Sequence, residues 1–238
     1  MVPFSQDGYR ELLSGFAGLG YTPTGYDAVE PDARQLILRH DLDFSLEAAL
    51  PIARIEREQG WTAHYFVLVR GDFYNCLGET AHETIAEIQA LGHRVGLHLD
   101  GALYGNDVAE VEAGARNELA ALEAVAGRRI DVISFHRPAE QLIGLPQPLA
   151  ERLHTYMPRF FDEIGYCSDS QGSWRFQAPL DHEAVTAGRA MQLLTHPIWW
   201  PETPMTDPTA RLEAFVEERG QRLRDGLEKN CRSYVRKA

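Results

Sequence analysis

The stretch Leu36-Ile37-Leu38-Arg39-His40-Asp41-Leu42-Asp43 decides the fold class of this chain. Its apolar half is typical of a buried β-strand, and its polar half places charged side chains where that strand ends. Because side chains alternate along a strand, Asp41 and Asp43 share one face and His40 points to the other. Two carboxylates on one face repel each other unless a cation or a proton lies between them. A role as the N-cap of the helix that follows would explain Asp43 but not Asp41.

Strands and helices alternate along the rest of the chain. The pattern predicts further strands over 62–69, 93–99, 130–135, 164–168 and 191–195, and helices over about 5–20, 45–59, 80–91, 106–125 and 207–236. The helix near residue 80 is predicted to open with the capping box Thr80-x-x-Glu83, and the last helix with the N-cap Asp207 followed by Pro208. We find no domain boundary, so residues 1–238 are predicted to form a single α/β domain. Its parallel sheet or barrel would carry the chemistry at the carboxyl ends of the strands.

Composition and charge restrict the partners and the compartment. The 238 residues include 35 Asp and Glu against 23 Lys and Arg, which gives a formal net charge of −12. This negative charge repels phosphate backbones and anionic lipids, so we expect neither nucleic acid nor a membrane as partner. Cys76, Cys167 and Cys231 are far apart, which fits neither a disulfide framework nor a zinc finger. No signal peptide and no apolar run of ~20 residues is evident, so we expect a cytoplasmic protein.

The other predicted strands also end in chemically active residues. These are His98 and Asp100, His136 and Arg137, Asp169, and His196. Imidazole and carboxylate groups are common ligands of zinc and other divalent metals. Arg137 could hold a carboxylate through two hydrogen bonds, or only tie neighbouring strands together. Taken together, the strand ends indicate a metal site with additional acid and base groups.

These motifs resemble those of the polysaccharide deacetylases of carbohydrate esterase family 4. The segment 39–43, Arg-His-Asp-Leu-Asp, is similar to that family's first motif, and 92–98, Gly-His-Arg-Val-Gly-Leu-His, is similar to its second. Arg137-Pro138, Asp169 to Trp174 and Leu193 to His196 are similar to the third, fourth and fifth motifs. The resemblance extends from about residue 36 to 200 and implies a distorted (β/α)7-type barrel.

The resemblance also implies roles for four catalytic residues. Asp41 would be the general base, and Arg137 would position it. His196 would be the catalytic acid, and Asp169 would orient it. The third motif continues with Ala139-Glu140 where the family has Pro-Tyr.

A divalent metal is the implied cofactor, most simply Zn²⁺, with Co, Ni and Mn as alternatives. Asp43 and His98 would bind it. The family's second metal-binding His lies four residues after the first, but this position is Ala102 here. We expect His136 to take its place, with Asp100 as the alternative third ligand.

The activity implied is metal-dependent hydrolysis of a C–N bond other than a peptide bond. A metal-activated water would remove an N-acyl group, most simply acetyl, from an amino sugar or a related small molecule. Trp174, Trp199 and Trp200 would stack on this substrate or pack in the core. Two alternatives remain open: a ureide or cyclic-amide hydrolase of the same superfamily, and a catalytically inactive binding protein on the same fold. The sequence does not predict the oligomeric state.

Overall fold

A single parallel sheet forms the centre of the protein. The computed structural model describes residues 2–105, 107–138, 140–175 and 177–236. The strands of these ranges are β1 Thr22–Pro23, β2 Gln35–Leu42, β3 Ala63–Leu68, β4 Arg94–Leu99, β5 Val132–Phe135, β6 Leu153–His154, β7 Gly165–Ser168 and β8 Met191–Thr195. They lie in the order β6-β5-β4-β3-β2-β8-β7, with β1 paired to the start of β2. The sheet curls into a half-barrel, which confirms the predicted distorted (β/α)7-type fold in a single domain.

Helices follow most strands, as the alternating pattern predicted. They are α1 Gln6–Gly18, α2 Ala49–Glu58, α3 Glu79–Ala90, α4 Val108–Ala126, α5 Pro158–Phe161, α6 Glu183–Thr186 and α7 Pro208–Asn230. None of them, within the described ranges, combines the length and the apolar character needed to cross a membrane.

Local sequence explains where the helices begin and end. The side chains of Ser5 and Asp207 accept hydrogen bonds from the first turns of α1 and α7, as N-caps do. The predicted capping box at Thr80 is wrong, because α3 begins one residue earlier, after Gly78, and Thr80 lies within its first turn. The last helix ends at Asn230 rather than near residue 236. The predicted start of the fourth helix at residue 106 lies outside the described residues.

The two faces of β2 have different surroundings, and this difference places the site. Leu36 and Leu38 pack into the large apolar cluster shared with the outer helices. Ile37 packs inside the curl of the sheet with Phe66 and Phe160. Side chains alternate along the strand, so the residues on the face of Ile37 point into the half-barrel towards its open carboxyl end.

Candidate active site at the strand ends

Three side chains from the ends of three strands of the sheet form a compact cluster. Asp43 follows β2, His98 lies near the end of β4, and His136 follows β5. One ligand atom from each lies within 4.8 Å of the others. His98 Nε2 is 3.0 Å and His136 Nδ1 is 3.3 Å from the same carboxylate oxygen, Asp43 Oδ1. The structure therefore brings together the three residues predicted as metal ligands.

The chemistry of this cluster suits a divalent metal. Burial alone would raise the pKa of Asp43, but hydrogen bonds with His136 and His98 hold this pKa well below its usual range. The carboxylate is therefore charged at neutral pH. One carboxylate and two imidazoles that converge on one point form a donor set common at zinc sites that keep an open position. Asp43, His98 and His136 therefore fit the divalent metal that the sequence predicted.

Asp100 and Arg137 pair with each other, which corrects one predicted role and removes an alternative ligand. Arg137 Nε donates to Asp100 Oδ1 at 3.0 Å, and Arg137 Nη2 donates to Asp100 Oδ2. Asp100 also accepts a hydrogen bond from the backbone of Ala102. Asp100 is thus engaged outside the cluster, and Arg137 does not position Asp41 as predicted.

The guanidinium group that holds Asp41 is that of Arg39. Its Nε and Nη2 donate to the two carboxylate oxygens of Asp41 at 3.0 and 2.7 Å, and both side chains are buried. Burial would raise the pKa of Asp41, but Arg39, His98 and His196 outweigh it and lower the pKa. Ser134 Oγ donates to Asp41 Oδ1 at 3.3 Å. The alternation of side chains along β2 would have revealed Arg39, which lies two residues before Asp41 on the same face.

Asp169 and His196 form the pair that the sequence predicted. His196 Nδ1 lies 2.7 Å from Asp169 Oδ1, and Trp200 Nε1 donates to Asp169 Oδ2 at 2.8 Å. Burial would lower the pKa of His196, but the hydrogen bond and charge of Asp169 raise this pKa to about 9. The outer nitrogen, His196 Nε2, lies 3.7 Å from Asp43 Oδ2 and so borders the cluster.

Two of the three predicted substrate-binding tryptophans belong to the core. Trp199 and Trp200 are 4% and 2% exposed and lie in the main apolar cluster, so core packing is the role that the structure shows. Trp174 is partly buried and packs against Phe4. The exposed aromatic ring near the cluster is that of Phe73, which is 45% exposed.

A buried polar network supports the strands from the helix side. Glu56 on α2 accepts hydrogen bonds from Tyr9 and Tyr65, and its Oε1 lies 2.6 Å from His40 Nε2. The other ring nitrogen of His40 is 2.7 Å from Thr195 Oγ1. This network links β2 to β8 directly behind the strand ends that carry Asp41 and His196. The charge of Glu56, fully buried, is compensated by its hydrogen-bond partners.

A cavity of about 530 Å³ opens from the cluster to the surface. It is lined by Asp43, Phe44, Leu68, Arg70, Gly71, Asp72, Phe73, Asp100, Leu103, His136 and Arg137. The loop after β3 contributes the segment 70–73 to this lining. Residue 139, where the third motif departs from the family's Pro-Tyr, lies outside the described residues.

Comparison with known proteins gives matches among solved structures only. No family model matches the sequence, and no curated protein matches it. IcaB from Ammonifex degensii is 16% identical, with 55% of this chain and 66% of that chain covered and a TM-score of 0.44. BA3943 from Bacillus anthracis, described as a CE4 family pseudoenzyme, is 11% identical, with 81% and 63% covered and a TM-score of 0.44. The chain is similar in fold to these proteins.

A further match to that fold is the Streptococcus pyogenes deacetylase PplD, solved with acetate. It is 11% identical, with 90% of this chain and 88% of that chain covered and a TM-score of 0.49. The chain spans less than two thirds of the length of IcaB and BA3943. At these identities the likeness concerns the fold alone.

Proposed function

We propose that this protein is a metal-dependent hydrolase that removes an N-acyl group, most simply acetyl, from an amino sugar or a related small molecule. The observation that carries the proposal is the position of an acid and a base beside the ligand cluster. Asp41 Oδ2 lies 3.7 Å from His98 Nε2, and His196 Nε2 lies 3.7 Å from Asp43 Oδ2. Both groups are thus within reach of a reactant held at the cluster.

The base side of the reaction rests on Asp41. Zn²⁺ or a similar ion held by Asp43, His98 and His136 would polarise the acyl carbonyl and increase the acidity of a water molecule. Asp41 is charged and fixed by Arg39, so it can take a proton from the water as the water attacks the acyl carbon.

The acid side rests on His196. Its Nδ1 faces Asp169, which leaves a proton on Nε2 directed towards the cluster. With a pKa of about 9 the imidazole is protonated at neutral pH. It can therefore protonate the departing nitrogen, without which an amide nitrogen is a poor leaving group.

A panel of substrates tests this proposal. The protein, loaded with Zn²⁺ or Co²⁺, is incubated with N-acetyl and N-formyl amino sugars, simple N-acyl amines, ureides and cyclic amides, and the released amine or acid is measured. We expect hydrolysis of at least one N-acyl compound and its loss on chelation. Turnover of ureides or cyclic amides alone would favour the alternative hydrolase. Tight binding of one compound without turnover would favour an inactive binding protein.

A further inference from the structure

Two guanidinium groups line the cavity that opens beside the ligand cluster. Arg70 and Arg137 line the same cavity as Asp43 and His136. The chemistry described above does not use either arginine, because Arg39 already holds Asp41. Their presence beside the site therefore calls for another role.

Arg137 is oriented by its partner and still accessible. Asp100, whose side chain is 5% exposed, binds Nε and Nη2 of Arg137, while the Arg137 side chain is 60% exposed. Its Nη1 makes no hydrogen bond to the described residues. Asp100 thus fixes the plane of the guanidinium and leaves donors available to a ligand.

Arg70 is oriented by an aromatic ring. Its guanidinium carbon lies 5.4 Å from the centroid of the Tyr104 ring. The Tyr104 hydroxyl donates to Glu118, which is 4% exposed, and this hydrogen bond fixes the ring. Among the described residues, no carboxylate lies within 4.0 Å of Arg70, so its charge has no close ionic partner.

The other walls of the cavity limit the kind of ligand. Phe73 and Leu103 are 45% and 42% exposed and line the same space, which favours a ligand with an apolar or ring face. Asp72 also lines it, so the two arginines act at defined points rather than through a general positive field. Arginine matches the geometry of carboxylate and phosphate groups with paired hydrogen bonds.

We propose that the substrate carries an anionic group, a carboxylate or a phosphate, that Arg70 and Arg137 bind while the acyl group lies beside Asp43 and His136. This inference rests on the proposed function and narrows its substrate to acidic or phosphorylated N-acyl compounds. The arginines would fix the position of the substrate in the cavity, so that the acyl carbon faces Asp41.

Equilibrium binding tests the inference independently of turnover. Glucose 1-phosphate, glucuronate and neutral methyl glucoside are titrated by calorimetry into protein freed of metal with a chelator, so that no metal holds the anion. We expect at least one anionic probe to bind at least about tenfold more tightly than methyl glucoside, and the stronger of the two identifies the group. Arg70→Gln and Arg137→Gln should each weaken that binding about tenfold, the usual size of a charge-assisted contact. Arg128→Gln, at an exposed position after α4, is the matched control and should bind as the wild type.

The outcomes separate this inference from the proposed function. Equal or absent binding of the anionic and neutral probes, or unchanged binding in both cavity variants, would overturn the inference. Arg137→Gln leaves Asp100 unpaired and could unfold. Arg70 is exposed, so Arg70→Gln should fold, and its binding result decides the test in that case. A failure of the hydrolysis panel would leave these binding results unaffected and would count against the proposed function only.

Discussion

The carboxylate of Asp41 is held by a residue from its own strand. Arg39 lies two positions earlier, so the geometry of β2 itself aligns the guanidinium with the carboxylate. A lysine at this position would keep the charge but not the paired hydrogen bonds. We expect Arg39→Lys to lower kcat at least about tenfold, equivalent to 1.4 kcal/mol, with a smaller change in KM. Wild-type kcat in this variant would show that the pairing does not orient the base.

The role of Asp41 itself gives a second prediction. Asp41→Asn removes the proton acceptor but leaves the ligand cluster in place. We expect turnover to fall by about 10²- to 10⁴-fold while the metal content stays at the wild-type level. Asp131→Asn, at the other end of the sheet just before β5, is a matched control that should keep its activity. Retained activity in Asp41→Asn would assign the base to another group.

A buried histidine away from the site makes stability depend on pH. His64 on β3 is 4% exposed and neither ring nitrogen has a hydrogen-bond partner among the described residues. Burial, together with the charge of Arg94, lowers the pKa of His64 to about 3. In the unfolded chain the pKa is about 6.5, so below that pH the unfolded state takes up a proton that the folded state does not, and stability is lost.

The expected loss is measurable by denaturation. Between pH 7 and pH 5 the free energy of unfolding should fall by about 2 kcal/mol more in the wild type than in His64→Leu. His82→Leu, which changes an exposed histidine, should follow the wild-type curve. If the free energy of unfolding falls equally with pH in the wild type and in His64→Leu, His64 does not cause the pH dependence.

At the level of elements, one glycine allows β3 and β4 to pack inside the curl. A Cβ atom at Gly96 would lie 2.4 Å from the Phe66 ring and 3.0 Å from the carbonyl oxygen of Val132. We expect Gly96→Ala to destabilise the protein by about 1–3 kcal/mol in chemical denaturation, the usual cost of overpacking. Gly226→Ala in α7, where a Cβ meets nothing within 4 Å, should instead stabilise the protein by up to about 1 kcal/mol. Equal effects of the two substitutions would contradict the close packing at Gly96.

The elements differ in how far sequence could predict them. β2, β3 and β4 carry six or more residues each, so their apolar pattern could be recognised. β1 and β6 have two residues each, too few for any periodicity, and they exist because a neighbouring strand pairs with them. The true start of α3 at Glu79, with Gly78 as N-cap, was missed because the Thr80 motif fits a cap equally well in sequence.

At the scale of the whole molecule, the site joins residues that are distant in sequence. The motifs predicted Asp43, His98 and His136 as a group, since parallel strand ends meet at one edge. They did not predict that Arg137 pairs with Asp100, because which partner a guanidinium reaches depends on side-chain geometry across two loops. The burial of the two tryptophans likewise depends on how the segment after β8 packs, with Trp200 against Tyr9 of α1 and Trp199 against Phe44.

Metal binding should stabilise the entire domain, because only the folded chain brings the three ligands together. We expect Zn²⁺ at about a hundredfold excess over its dissociation constant to add about 2.7 kcal/mol of stability, seen as a rise in Tm. In Asp43→Asn a neutral amide replaces the carboxylate that lies beside both histidines. The Tm of this variant should therefore rise little when Zn²⁺ is added. A Tm that is insensitive to metal in the wild type would contradict a metal site at this cluster.

Elemental analysis of purified protein tests the central claim, a metal centre of Asp43, His98 and His136, most directly. Wild type, His136→Ala and Asp100→Asn are loaded with Zn²⁺, freed of excess metal and analysed side by side. The structure predicts stoichiometric metal in the wild type and in Asp100→Asn, and loss of most of the metal in His136→Ala. The claim would be contradicted if His136→Ala bound a full equivalent of Zn²⁺ and Asp100→Asn bound none. That result would make Asp100 the third ligand.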